Sequence, residues 1–102
     1  MSGIDQVADW APEHAGEIAR GQRAQAILDD PLVGEAFAAL ERACLAEWRA
    51  APARDVEGRE RLWLMLKMAE RLKAHFTSLV DGGRLAGERV AALEKARRGF
   101  FR

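Results

Sequence analysis

The sequence predicts an all-helical fold, which its composition, its apolar spacing and its helix-ending residues all favour. Among 102 residues there are five Val, three Ile, one Thr and no Tyr, against twenty Ala and eleven Leu. Alanine and leucine are good helix formers, whereas β-branched and aromatic residues favour strands. We therefore expect an antiparallel helical hairpin, made of residues 31–50 and about 55–81, with shorter helices flanking it.

The first helix of the hairpin is predicted to begin at Pro31. The Asp30 carboxylate can accept a hydrogen bond from the first free amides of a helix, and a proline at the first position lacks an N–H that would be unpaired anyway. Pro52 disfavours helical geometry at the preceding residue, so the helix should end near Ala50. Between these bounds one apolar stripe follows helical spacing: Val33, Phe37, Leu40, Cys44 and Trp48.

The second helix of the hairpin is predicted to begin after Asp55, which is a candidate cap. Its core-facing residues alternate steps of three and four, as in a heptad seam: Leu62, Met65, Ala69, Leu72, Phe76 and Leu79. Gly82 and Gly83 follow Asp81, and glycine readily adopts the left-handed conformation that ends a helix. We expect the helix to stop there.

Charge divides the chain into three parts. The head, residues 1–16, is acidic and expected to be partly flexible; the stretch to Glu17 holds four carboxylates and no Lys or Arg. Residues 17–83 form the predicted hairpin core, and within them 17–28 read as a weak helix. The tail, residues 84–102, carries six basic and two acidic side chains, a net charge of +4, on a short final helix.

The middle of the second hairpin helix, residues 62–69, is apolar on every side. A helix of this kind is normally covered on every side. The side chains left outside the seam would then lie in an interface: Trp63, Leu64, Leu66 and Met68. We favour a homo-oligomeric helical bundle; the alternative is that the two ends of the same chain cover this stretch.

No catalytic or metal-binding pattern emerges, so we expect a protein that is not an enzyme and needs no cofactor. His14, His75 and Cys44 lie far apart in the sequence, without metal-ligand spacing. A single cysteine cannot form an internal disulfide, the amino terminus does not resemble a secretion signal, and no apolar run is long enough to span a bilayer. These features favour a cytoplasmic protein with no membrane partner.

The basic tail is the strongest candidate for a binding site. Its cations and aromatic rings are the residue types that clamp phosphates and stack on bases in single-strand binders: Lys95, Arg97, Arg98, Phe100, Phe101 and Arg102. We therefore consider DNA as a partner. The alternative is that the tail pairs with the acidic head of the same or a neighbouring chain.

Several segments between residues 31 and 86 form a pattern: Pro31-Leu32, Glu35–Phe37, Trp48, Pro52–Asp55, Glu57–Glu60, Leu62–Lys67 and Gly83–Ala86. In these the chain resembles a group of short, uncharacterised helical proteins of tailed phages and prophages, encoded near packaging and head genes. The resemblance carries no catalytic or binding residues and implies a phage origin, hence the cytoplasm of a host cell.

Two functions are expected from these observations. The first is an oligomeric helical protein that binds macromolecules and assists DNA packaging or head assembly, like a small packaging subunit. The alternative is a phage-encoded inhibitor or sponge, which would hold a host protein or a small anionic ligand beside Arg59, Arg61 or Arg71.

Overall fold

The fold is all-helical. The computed structural model describes the backbone of residues 3–100 and the side chains of residues 12–99. Over that stretch the chain forms three helices: α1 (Gly3–Asp29), α2 (Pro31–Ala50) and α3 (Val56–Phe100). None of these helices combines the length and the apolarity that crossing a membrane requires.

Two aspartates start the helices as predicted. The Leu32 amide donates a hydrogen bond to the Asp30 carboxylate (N···Oδ1 2.9 Å), and Pro31 occupies the first turn of α2. The Gly58 amide donates to the Asp55 carboxylate (N···Oδ1 3.1 Å) at the start of α3. Each carboxylate therefore pairs an amide that has no partner inside its own helix. The predicted bounds of the 31–50 helix are confirmed.

The prediction that Gly82 and Gly83 end a helix is wrong. The helix α3 runs through both glycines for 45 residues, and no glycine of the described chain has a positive φ. The tail up to Phe100 is therefore the last part of α3 and not a separate short helix. Gly83 serves close packing instead, because it touches the backbone of α1.

The helix α1 is longer than the short flanking helix that we expected. It extends over 27 residues and includes Pro12. A proline within a helix removes one backbone hydrogen bond, but helix packing along the rest of its length can offset that loss. Ile4, Val7 and Trp10, which suggested only one or two helical turns, lie on its first part; their side chains are outside the described residues.

The chain divides into two compact units. We call Met1–Gln25 with Phe76–Arg102 the terminal unit and Ala26–His75 the central unit. In the terminal unit, α1 and the last part of α3 meet backbone to backbone. A Cβ atom added to Gly21 would lie 2.9 Å from the Cα of Gly83. Ala24 and Ala86 beside this crossing are almost fully buried.

In the central unit, α2 contacts the first part of α3. The Arg59 guanidinium lies over the Trp48 ring, and Lys73 Nζ lies 5.8 Å from the centre of the Phe37 ring. Cys44 and Ala69 are the buried apolar residues of this unit among the described side chains. Only small side chains are therefore buried here, and the large ones keep part of their surface in contact with solvent.

The heptad seam predicted on α3 is only partly correct. Leu62 and Ala69 are shielded as expected, but Met65 and Leu72 are about half exposed. The surface next to α2 instead includes Leu66, because this part of α3 carries several apolar stripes and spacing alone did not identify the packed one.

Candidate functional site

The central unit leaves two apolar surfaces open, and the first is a groove between α2 and α3. It has a volume of about 180 Å³. Its walls come from three residues of each helix: Cys44, Leu45, Trp48, Leu62, Trp63 and Leu66. Almost all of the exposed lining is apolar. Trp63 keeps 52% of its surface exposed, so the groove is open to solvent.

Cations lie against both tryptophan rings of the groove. The Arg59 Cζ atom is 4.2 Å from the centre of the Trp48 ring, and Lys67 Nζ is 5.4 Å from the centre of the Trp63 ring. Both distances fall within the range of a cation–π interaction. Lys67 also pairs with Glu70 (Nζ···Oε2 3.3 Å) at the surface. The groove is thus apolar inside and bordered by positive charge.

The second surface is a stripe on α3 that we call the methionine face. It comprises four side chains that are between 49% and 69% exposed: Leu64, Met65, Met68 and Leu72. Leu64, Met68 and Leu72 follow one another at steps of four, and Met65 precedes Met68 by three, so all four lie on one side of a helix with 3.6 residues per turn. Together they form an exposed apolar stripe along α3, the kind of surface that often marks an interaction site.

Exposed alanines of α2 extend the methionine face. Helical geometry puts Leu45 and Trp63, which line the groove, on one side of the two helices. By the same geometry Ala36, Ala39 and Ala43 lie on the opposite side, with the methionine face, and all three are exposed. Small side chains allow a further helix to approach closely, so this side of the central unit is suited to helix packing.

The structure separates the four side chains predicted for an oligomer interface. Leu64 and Met68 belong to the methionine face, whereas Trp63 and Leu66 line the groove. They were predicted as one set because helical spacing alone does not show which side of α3 contacts α2. Met65 and Leu72, which were assigned to the buried seam, join Leu64 and Met68 instead.

The predicted basic site lies at the end of α3. Lys95, Arg97 and Arg98 are exposed. Lys95 and Arg98 are three residues apart and share one face of the helix, whereas Arg97 points to another. Cations in the last turns also interact favourably with the negative end of the helix dipole. The Phe100 side chain, Phe101 and Arg102 lie outside the described residues.

Two further residues considered in the sequence analysis lie in different surroundings. His75 is exposed on α3, and Cys44 is buried where it lines the groove. Among the described side chains, no three histidines, cysteines or carboxylates are placed to hold a metal ion. Comparisons with protein-family models, curated proteins and solved structures found no match for this chain.

Proposed function

We propose that this protein is a non-enzymatic, self-associating helical subunit that binds macromolecules. Its assembly element is an antiparallel hairpin of α2 and the first part of α3, and copies meet through the methionine face. The single observation that supports this is the exposure of four large apolar side chains on one side of α3. An exposed apolar patch of this kind often marks an interaction site.

Covering the methionine face contributes to association. Fully burying a leucine or methionine side chain contributes about 1.5–3 kcal/mol, so each half-exposed side chain contributes on the order of 1 kcal/mol before costs. Loss of translational and rotational freedom and side-chain ordering together cost on the order of 4–15 kcal/mol or more. The exposed alanines of α2 add contact area toward the roughly 1,200 Å² or more that stable complexes bury.

We further propose that the basic end of α3 gives the assembly its contact with DNA. Lys95 and Arg98 would approach backbone phosphates from one face of the helix. In an oligomer each copy supplies such a site, and several weak phosphate contacts then act together. With the phage resemblance, this supports a role in head assembly or DNA packaging in the host cytoplasm.

Light scattering on the purified full-length chain tests self-association. We expect a mass above that of a monomer at micromolar concentration and a monomer for Met68→Glu, because a buried carboxylate in the interface would lack a partner. Ala74→Glu introduces the same charge at an exposed position outside the methionine face and is the matched control. A monomeric wild-type chain, or equal effects of the two variants, would contradict the proposal.

Gel retardation of a DNA duplex over a range of salt concentrations tests the second part. Removing Lys95 and Arg98 (both to Ala) should weaken binding and reduce the slope of log K against log salt by about 0.9 for each lost phosphate contact. Arg20→Ala with Arg23→Ala removes the same charge from exposed positions on α1. Equal losses in both double variants would show that only net charge matters and would reject this site.

A further inference from the structure

We infer that the groove between α2 and α3 binds a small aromatic carboxylate, independently of self-association. The groove lies entirely within the central unit. It lies on the side of the two helices opposite to the methionine face, so assembly through that face leaves it accessible. Its lining, its size and the charge at its edge together define the class of ligand.

The size of the groove indicates a ligand with one aromatic ring. Its volume of about 180 Å³ is similar to the engineered apolar cavity of about 150 Å³ that binds benzene. An α-helix with its side chains is about 10 Å across and does not fit such a space. A second helix would therefore be held outside, whereas a single ring fits between the walls.

The walls of the groove suit an aromatic ring. Trp48 and Trp63 come from opposite helices and both line it, with Leu45, Leu62 and Leu66 around them. Aromatic pairs in offset or edge-to-face arrangement are more stable than their buried area alone implies. A bound ring would also cover indole surface of Trp63 that the empty groove leaves exposed.

Arg59 supplies the charge complementarity. Its guanidinium lies over Trp48, at the groove wall, and is paired with no carboxylate among the described residues. A guanidinium can donate two parallel hydrogen bonds to a carboxylate while it remains stacked on the ring. Lys67 is less available because it pairs with Glu70. A ligand ring in the groove would thus direct its carboxylate toward Arg59.

Fluorine NMR with para-trifluoromethylbenzoate tests this inference, and para-trifluoromethylbenzamide serves as the uncharged analogue. We expect saturable binding of the carboxylate to the wild-type chain and weaker binding of the amide. Arg59→Gln should weaken carboxylate binding about fivefold and change amide binding much less, because the charge-assisted hydrogen bonds to the carboxylate are lost. Arg59→Lys should restore part of the difference.

Two further variants control the experiment. Trp63→Ala removes one wall of the groove and should abolish saturable binding of both compounds, whereas Arg54→Gln removes a charge from the exposed connector and should change neither. Light scattering of each variant records its oligomeric state in parallel.

Unsaturable binding to the wild-type chain would overturn the inference, and equal affinity for both compounds would overturn the carboxylate assignment. If the compounds fail to bind and Trp63→Ala dissociates the oligomer, the groove holds a side chain of a second copy, which also overturns it.

Discussion

The terminal and central units pack their helices in opposite ways. In the terminal unit, Gly21 and Gly83 bring two backbones into direct contact, and Ala24 and Ala86 are buried beside them. In the central unit, tryptophan, leucine and phenylalanine hold the helices together and a groove remains between them. The contact between Gly21 and Gly83 therefore has no room for a further atom, whereas the contact between α2 and α3 leaves an apolar groove.

This contrast explains where the chain exposes apolar surface. Small residues let helices approach so closely that little large apolar surface is needed between them. Large residues on a single pair of helices cannot all face inward, so those of the central unit also cover the other sides of α3. Self-association and ligand binding are both proposed for the central unit because most of the exposed large apolar side chains of the described chain lie there.

The largest effect on stability is expected from Leu66→Ala. This half-buried side chain separates α2 from α3 beside the groove. Its truncation enlarges an existing gap and should lower the free energy of unfolding by about 2 kcal/mol, toward the low end for a leucine because its burial is partial. Urea unfolding measures this, and Val56→Ala, at an exposed position, should change little. An equally small effect of Leu66→Ala would mean that the groove wall does not support the central unit.

Two neighbouring glycines should respond to alanine with opposite signs. A Cβ at Gly83 would lie 2.9 Å from the Cα of Gly21 and 3.0 Å from the Glu17 carbonyl oxygen, whereas a Cβ at Gly82 meets nothing within 4 Å. Overpacking costs about 1–3 kcal/mol, and replacing glycine by alanine inside a helix gains up to about 1 kcal/mol. Gly83→Ala should therefore destabilise by about 1 kcal/mol and Gly82→Ala should stabilise.

Hydrogen exchange locates these two effects. Amides of residues 76–99 should exchange faster in Gly83→Ala, because local opening of the terminal unit becomes easier. The same amides should be better protected in Gly82→Ala. Stabilisation by both substitutions would show that the helices of the terminal unit are not in backbone contact.

A smaller effect is expected from Asp30→Ala at the start of α2. The substitution leaves the Leu32 amide without its capping carboxylate and should cost about 1 kcal/mol in urea unfolding. Asp81→Ala removes an exposed aspartate from within α3 and should be neutral or slightly stabilising, since alanine is the better helix former. Equal effects would indicate that Asp30 acts through its charge and not as a cap.

The smallest effect is expected from Glu88→Gln. The carboxylate pairs with Arg84 (Nη1···Oε1 3.3 Å), and both side chains are more than half exposed. Exposed pairs four residues apart contribute about 0.3–0.5 kcal/mol, so the loss should be of this size and should disappear in high salt. A larger loss that persists in salt would show that the pair also supports the contact between helices in the terminal unit.

Features determined by neighbouring residues could be predicted from the sequence, and those determined by distant residues could not. The Asp30–Pro31 pair and Pro52 predicted both ends of α2 because capping and proline effects act within a few residues. The prediction for Gly83 was wrong because a glycine can either end a helix or allow two helices to approach closely, and its neighbours in sequence do not distinguish the two. Only the position of Gly21, 62 residues earlier, decides between them.

The same difference between local and distant determinants applies to the candidate sites. An apolar surface around residues 62–69 was apparent from composition, and part of it is exposed on the single chain. The groove was missed because its walls combine residues from two helices, among them Leu45, which lay outside the predicted stripe. The sequence did contain one signal for the groove. Two tryptophans, Trp48 and Trp63, lie on successive helices, and the cations Arg59 and Lys67 are close to them in sequence.

Oxidation of Met65 and Met68 tests the central claim most directly. Peroxide converts exposed methionine to its sulfoxide, and mass spectrometry of peptides follows each residue, with added free methionine as the reference. We expect both residues to oxidise much more slowly than free methionine at high protein concentration and to approach its rate on dilution, because a second copy covers them. Rapid oxidation at every protein concentration would show that the methionine face stays exposed to solvent, and it would contradict self-association through this face.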